Sequence, residues 1–429
     1  MAEILIKNGA VLTADGWKEP GYVLVEGDTI SQVEQGTPPD GLGAQQVIDA
    51  RHCAVMPGFI NGHTHLSQTF MRGLAGGRAL LPWLKNLIWP LQAAINPDEI
   101  RLAAYLGLVE NLKCGVTEVV DHHKVTKSTE YTDLVCQAAD EIGLRFTLAR
   151  SWSDKGKNAE NAEEIVADLE RLFQNWKGHT RIQIASGPLA LWRCSRETLV
   201  ATHEMARRYG SFTHFHVAET QDEVHMSLDE YGMRPVEWLK TVGVLDGDTQ
   251  IVHAVWVTDS EIERIAESKA MVVHCPVANA VLGSGIAPVA KMLARGVSLR
   301  IGTDGPASND NQDILEAAKT AVNLARVSNL DAMQLPPQQA LQLILGKRVL
   351  SPGMAADMIL LDLNHPRAVP VQDIDSAIIL SSHGADVDTV IVSGKVLMRN
   401  KKVLVLDEDT LLSECRTAIK GLRARAGID

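Results

Sequence analysis

The sequence predicts an α/β protein: a closed (β/α)8 TIM barrel with a small β-sandwich domain built from both ends of the chain. Three observations point there. Through the middle of the chain, eight short apolar runs ending in polar residues alternate with amphipathic segments of helical period. Both ends instead alternate apolar and polar residues in the manner of half-buried strands. No G-x-G-x-x-G follows the first run, as it would in an open, nucleotide-binding doubly wound sheet. The boundaries that follow are residues 1–56 and 353–429 for the composite β domain with a C-terminal helix, and 57–352 for the barrel.

At the N-terminus, "EILIKNG" and "YVLVEGDTISQVEQG" read as strands, with Gly27-Asp28 as a hairpin turn. The barrel runs follow as "VMPGFINGHTHL", "VTEVVDHH", "RFTLARS", "RIQIASGPLAL", "FTHFHVAET", "QIVHAVWV", "AMVVHCPVAN" and "SLRIGTDG". Between them lie helical stretches at 98–113, 159–173, 195–209, 260–268 and 311–326. The strand texture returns in "ADMILLDL" and "VDTVIVSGKVLMRNKKVLVLD", and a helix over 409–426 closes the chain.

Composition narrows the function classes. The chain has 429 residues, 45% of them hydrophobic and 22% charged, enough for a large core. A net charge of −12 argues against nucleic acid or an anionic membrane surface as partner, since both need basic patches. No run approaches the ~18 uninterrupted apolar residues of a membrane span. Six cysteines are scattered without a C-x-x-C pair, which with the absence of a signal-like start predicts a cytoplasmic protein with free thiols.

The chemistry collects where the barrel runs end. His63 and His65 lie two apart, on one face of a strand. His216 ends the fifth run, His253 lies in the sixth, and Asp304 ends the eighth. In a barrel these ends converge on one pocket. Singly, each group has an ordinary explanation: a hydrogen-bonded buried histidine, or a turn aspartate. As a set, His63, His65, His216 and Asp304 make a shell for one divalent metal, Zn²⁺ or Fe²⁺, with a position open to water. His253 reads either as a fourth nitrogen ligand or as a group that polarises the substrate, and with that shell complete the second role is the one expected. Glu219, three residues past His216, is placed to act as general acid/base.

Other features are less specific. "GSGIAP" (283–288) lacks the lysine of a phosphate loop and reads as a loop before a helix. His122-His123 either line the pocket, orient a ligand, or pack. Cys275 reads as a core thiol, because nothing near it identifies a base.

Together, "PGFINGHTHL", "FHVAET", His253-Ala254, "HCPVAN…GSGIAPVAKMLARGV" and "GTDG" resemble the amidohydrolase superfamily, and within it the mononuclear deaminase and chlorohydrolase branch. The resemblance covers nearly the whole chain. It implies metal ligation by His63, His65, His216 and Asp304, proton transfer by Glu219, substrate polarisation by His253, and a catalytic role for Asp304 as acceptor of a proton from the metal-bound water. The implied reaction is hydrolytic loss of ammonia from an aminated planar heterocycle of purine or pterin type. Gln68, in "HTHLSQ", resembles a glutamine that reads the ring edge. Trp83, Arg150 and Trp192 are expected at the pocket wall, while Arg193 stands where relatives vary. The fourth run ends without the lysine that bridges two metals in binuclear relatives, so a single metal is expected. The segment between the last barrel helix and "GMAADM" is shorter than the family's usual one. A homodimer fits the same resemblance. Two competing readings share the site: a triazine-type hydrolase expelling chloride or an alkylamine, and a catalytically silent scaffold.

Overall fold

The computed structural model describes residues 2–124 and 127–428. Eight parallel strands form the barrel wall: β1 Phe59–Thr64, β2 Val116–Lys124, β3 Arg145–Trp152, β4 Ile182–Pro188, β5 Thr213–Val217, β6 Thr249–His253, β7 Met271–His274 and β8 Ser298–Ile301. Each pairs with the next in chain order. These are the eight runs read from the sequence. Their near-continuous apolarity has the expected cause: helices cover the outer face and neighbouring strands fill the inner one, so both faces are buried.

The wall closes where β8 meets β1. A Cβ on Gly62 would stand 3.0 Å from the Ile301 carbonyl, and one on Gly302 would stand 2.8 Å from the His63 backbone nitrogen. Only glycine allows that approach. It lets the Asp304 N–H donate to the His63 carbonyl at 2.9 Å, bringing the last functional strand end onto the first.

The helices follow from local signals. Pro97–Lys113 begins with a reciprocal cap: Asn96 Oδ1 accepts from the Glu99 N–H at 2.9 Å, and Glu99 Oε2 accepts from the Asn96 N–H at 3.0 Å. Asp259–Ser268 starts the same way from Thr258 and Glu261. The last barrel helix, Pro337–Leu345, forms despite the shortened segment after it and buries Ala340, Leu341, Ile344 and Leu345. The chain then turns sharply at Gly346, whose φ of 63° suits glycine.

Nine strands from the two chain ends make the second sheet. Its seam is the antiparallel pairing of Cys53–Pro57 with Met358–Asp362, which ties the start of the chain to its return. Ile4, Ile6, Val23, Val55, Met358 and Leu360 fill its core. The C-terminal helix Glu408–Ala426, grouped with this sheet by chain order, packs against the barrel helix Pro97–Lys113. There the Cys415 thiol approaches the Leu102 carbonyl and Arg425 pairs with Glu99. No helix among the described residues is long and apolar enough to cross a membrane.

Candidate metal centre and active site

At the C-terminal end of the barrel, the side chains of β1, β5, β6 and the turn after β8 meet. His63 lies in β1 and His65 one residue past it; His216 lies in β5, His253 ends β6, and Asp304 follows β8. His63 Nε2 stands 3.2 Å from His216 Nε2 and 3.4 Å from Asp304 Oδ1; His65 Nε2 stands 3.2 Å from the same oxygen.

The other ring nitrogens show why those atoms face one another. His65 Nδ1 donates to the His122 carbonyl and His216 Nδ1 to the Leu189 carbonyl, each at 2.7 Å. His63 Nδ1 meets His214 Nε2 at 2.8 Å, and His214 Nδ1 donates to Gln250 Oε1 at 3.0 Å. With every Nδ1 carrying its hydrogen, three Nε2 lone pairs and a carboxylate oxygen point into one small space. Such a set repels itself unless a cation lies at its centre. The residues therefore fit a divalent metal: the ligand atoms of His63, His65, His122 and His216, and those of His63, His253 and Asp304, each lie within 4.8 Å of one another, and a shell of imidazoles with one carboxylate suits zinc or ferrous iron.

Burial reinforces this protonation pattern. It drives the His63 and His216 rings well below their ordinary pKa, keeping them neutral; at His65 burial acts the same way, but the hydrogen bond and charge of Asp304 outweigh it and raise the ring above its ordinary value. Burial pushes the Asp304 carboxyl upward, but its contacts with His63 and His65 overcome that and hold it well below the usual carboxylate range.

Backbone conformation marks the same positions. His253, Ala254 and Asp304 have φ of 72°, 47° and 61°, left-handed values that non-glycine residues adopt at a cost. A buried amide network holds the last of these. Asn309 Nδ2 donates to the Thr303 carbonyl at 2.7 Å, Gln312 Nε2 to the Asp304 carbonyl at 3.1 Å, and Thr64 Oγ1 to Gln312 Oε1 at 2.7 Å.

Glu219 sits just past β5, only 4% exposed. Burial, and then the charge of Asp304, raise its carboxyl to about 8. Ser284 Oγ donates to its Oε1 at 3.0 Å, and His253 Nε2 lies 3.6 Å from its Oε2. Thus the "GSGIAP" loop steadies Glu219. His253 is fixed in turn by Asn279 Oδ1, 2.9 Å from its Nδ1. Below Glu219 lies Glu223, raised to about 7 by burial and by the Glu219 charge; its Oε2 accepts from the Glu219 N–H at 2.8 Å.

Above these groups opens a cavity of about 470 Å³, within the range of small-molecule sites. Gln68, Trp83 and Trp192 line it, as the sequence predicts. Gln68 Oε1 is buried with no hydrogen-bond partner among the described residues. Arg150 departs from expectation. It is 3% exposed and absent from the wall, because Asp168 holds its Nε at 2.9 Å and Glu160 its Nη1 at 2.7 Å. Arg193 lines the cavity instead. Of the adjacent histidines, His122 lines the cavity, whereas His123 is fully buried beside Asp121. Burial, with the charges of Asp304 and Glu219, keeps the Cys275 thiol well above its ordinary pKa, which suits an inert core cysteine.

The sequence reading missed His214, Asn279, Ser284 and Glu223. His214 carried a signal: it lies two residues before His216, on the same strand face. The others act across long sequence separations that no local pattern marks.

Residues 54–397 match the amidohydrolase family. The chain belongs to that family. A 5′-deoxyadenosine deaminase of Methanosarcina acetivorans is 38% identical to this amidohydrolase, over 99% of this chain and 100% of the relative. Among solved structures, an adenosine deaminase from Xanthomonas campestris with bound zinc superposes with a TM-score of 0.91 at 27% identity, covering 99% of both chains. A zinc complex of atrazine chlorohydrolase from Arthrobacter aurescens superposes at 0.90 and 26% identity, over 97% of this chain and all of that one. This amidohydrolase is an enzyme of the hydrolase class acting on carbon–nitrogen bonds other than peptide bonds.

Proposed function

We propose that this amidohydrolase is a zinc-dependent aminohydrolase that removes ammonia from the adenine ring of an adenosine-type nucleoside. The observation that carries the reading is Glu219: a buried carboxyl, raised to about 8, beside His253 and close enough to Asp304 to feel its charge. His63, His65, His216 and Asp304 would hold a divalent cation, which would supply the acidification of a water molecule at neutral pH.

The chain's own residues supply the rest. Glu219 takes a proton from the attacking water and returns it to the departing amine, a transfer its raised pKa matches to neutral conditions. Ser284 holds Oε1 so that Oε2 faces the reaction. His253, its tautomer fixed by Asn279, presents Nε2 to the reacting carbon's substituents. Gln68 Oε1, a buried acceptor without a donor, pairs with a ring N–H of the substrate. Trp83 and Trp192 offer apolar planes to a flat ring. Adenosine-type substrates are favoured over triazines because the relative that is 38% identical along the full length is a 5′-deoxyadenosine deaminase. The six cysteines, all free, fit the cytoplasmic location that we propose.

The test is ammonia release by the zinc-loaded protein from 5′-deoxyadenosine, adenosine, guanine, pterin and aminotriazines. The expected outcome is release from the adenosine compounds, with Glu219→Gln cutting turnover by at least ~10²-fold while zinc content holds. Release from triazines alone, or full turnover by Glu219→Gln, would sink the reading.

A further inference from the structure

Beside the main cavity lies a second hollow of about 450 Å³, lined by Lys85, Trp89, Gly156, Lys157, Trp192 and Arg193. Four of these residues, Trp89, Lys157, Trp192 and Arg193, also line the main cavity, so the two share a wall. The second hollow has three cations and no carboxylate in its lining, in a chain whose net charge is −12.

Arg193 is the unusual member. It is only 5% exposed, and its guanidinium carbon sits 5.4 Å from the Trp89 ring centre and 5.5 Å from that of Trp192. Nη2 donates to Ser153 Oγ at 3.1 Å and to the Lys157 carbonyl at 2.8 Å, while Nε is buried with no partner among the described residues. Among the described residues no carboxylate pairs with it, and none lines the second hollow. Of the four acids on the main cavity wall, none forms an ion pair with Arg193: Glu160 is held by Lys124 at 2.6 Å and Arg150 at 2.7 Å, Glu223 accepts from Trp192 Nε1 at 3.3 Å, Glu219 is held by Ser284, and Asp304 by His63 and His65. An arginine stays charged even when buried, and a buried charge without a counter-ion is costly. The two tryptophan faces and two neutral acceptors fix the plane of the guanidinium without cancelling its charge. The missing partner is an anion.

We propose that Arg193, with Lys85 and Lys157, forms a subsite for an acidic group, a carboxylate or a phosphate, carried on the tail of the substrate. The identity of the ring rests on the deaminase reading above; the anion subsite rests only on this wall. The planar fork of Arg193 suits the two oxygens of either acid, and the exposed lysines draw the group in from solvent. An inner end that reads the ring and an outer end that reads the charge would then divide recognition between them.

The experiment is calorimetric titration of the zinc-loaded Glu219→Gln protein with adenosine, adenosine 5′-monophosphate and S-adenosylhomocysteine. The expected result is that at least one acid-bearing compound binds about 10-fold or more tightly than adenosine. Which of the two does so separates phosphate from carboxylate. Adding Arg193→Gln should lower that ratio by about 10-fold. The exposed pair Lys85→Gln/Lys157→Gln should lower it severalfold without touching a buried position, and serves if Arg193→Gln does not fold. Adenosine binding as tightly as both acids, or a ratio unchanged in the variants, overturns the proposal. If none of the three compounds binds, the ring assignment has failed. Titration with inorganic phosphate and acetate then decides the subsite alone: binding weakened by the variants supports it, and no binding overturns it.

Discussion

The two ends of the substrate space are built on opposite principles. At the inner end, each histidine of the cluster and Glu219 is held by another group, with Gln68 Oε1 left open among them: His63 by His214, His65 and His216 by carbonyls, His253 by Asn279, and Glu219 by Ser284. All of it hangs from strand ends of the barrel wall. At the outer end, Arg193 and its flanking lysines sit on connecting segments, and buried donor capacity is left open. The difference teaches where chemistry and selectivity separate. Catalytic groups need fixed geometry and settled protonation, which rigid strand ends supply. A selectivity surface works by leaving a need that only the right ligand meets.

Three measurements sharpen that contrast. The largest effect belongs to His216→Ala, expected to lose both bound metal and turnover; metal analysis of the purified variant checks it, and full occupancy would remove His216 from the ligand set. Next, His214→Phe takes away the partner of His63 Nδ1 while leaving all four ligands in place. Metal affinity should fall about 10–100-fold, read by competition with a chelator. An unchanged affinity would mean that the fixed geometry of the inner end does not depend on this second layer.

The smallest effect is one of pH and stability, at Glu223, which lies between the two ends. Its folded pKa of about 7 stands above the ordinary 4.5 because burial and the Glu219 charge disfavour ionisation. Between those values the folded state holds a proton that the unfolded chain has lost, so this group's contribution to stability falls as pH rises from 4.5 to 7. Glu223→Gln removes that dependence. Relative to wild type, its melting temperature should climb across this window and level off above it, for a change of about 3 kcal/mol at most. A flat difference across the window would show that Glu223 does not titrate there.

Much of the fold was legible because it is written in short-range patterns. The alternation of apolar runs with amphipathic segments placed all eight barrel strands, and the strand texture at both ends marked the second sheet. The His63, His65, His216, His253 and Asp304 set was legible for a related reason. In a parallel barrel the carboxyl ends of all strands point to one face, so polar residues at run ends must share a pocket. Gln68, Trp83 and Trp192 also reach the wall as read. Arg150 does not, because Asp168 and Glu160 capture it, and nothing in the eight residues of its own strand marks those partners.

The sequence by itself thus determined which residues stand at the strand ends and gather at one face, since strand period and barrel topology follow from local order. The tertiary structure decided the rest: that β8 closes on β1 through Gly62 and Gly302, that His214 and Asn279 fix the tautomers, that Ser284 steadies Glu219, and that Arg193 rather than Arg150 faces the substrate space. Each of these is a contact between residues far apart in the chain. Its outcome depends on which partner the folded packing brings within hydrogen-bonding distance, and no local pattern records that.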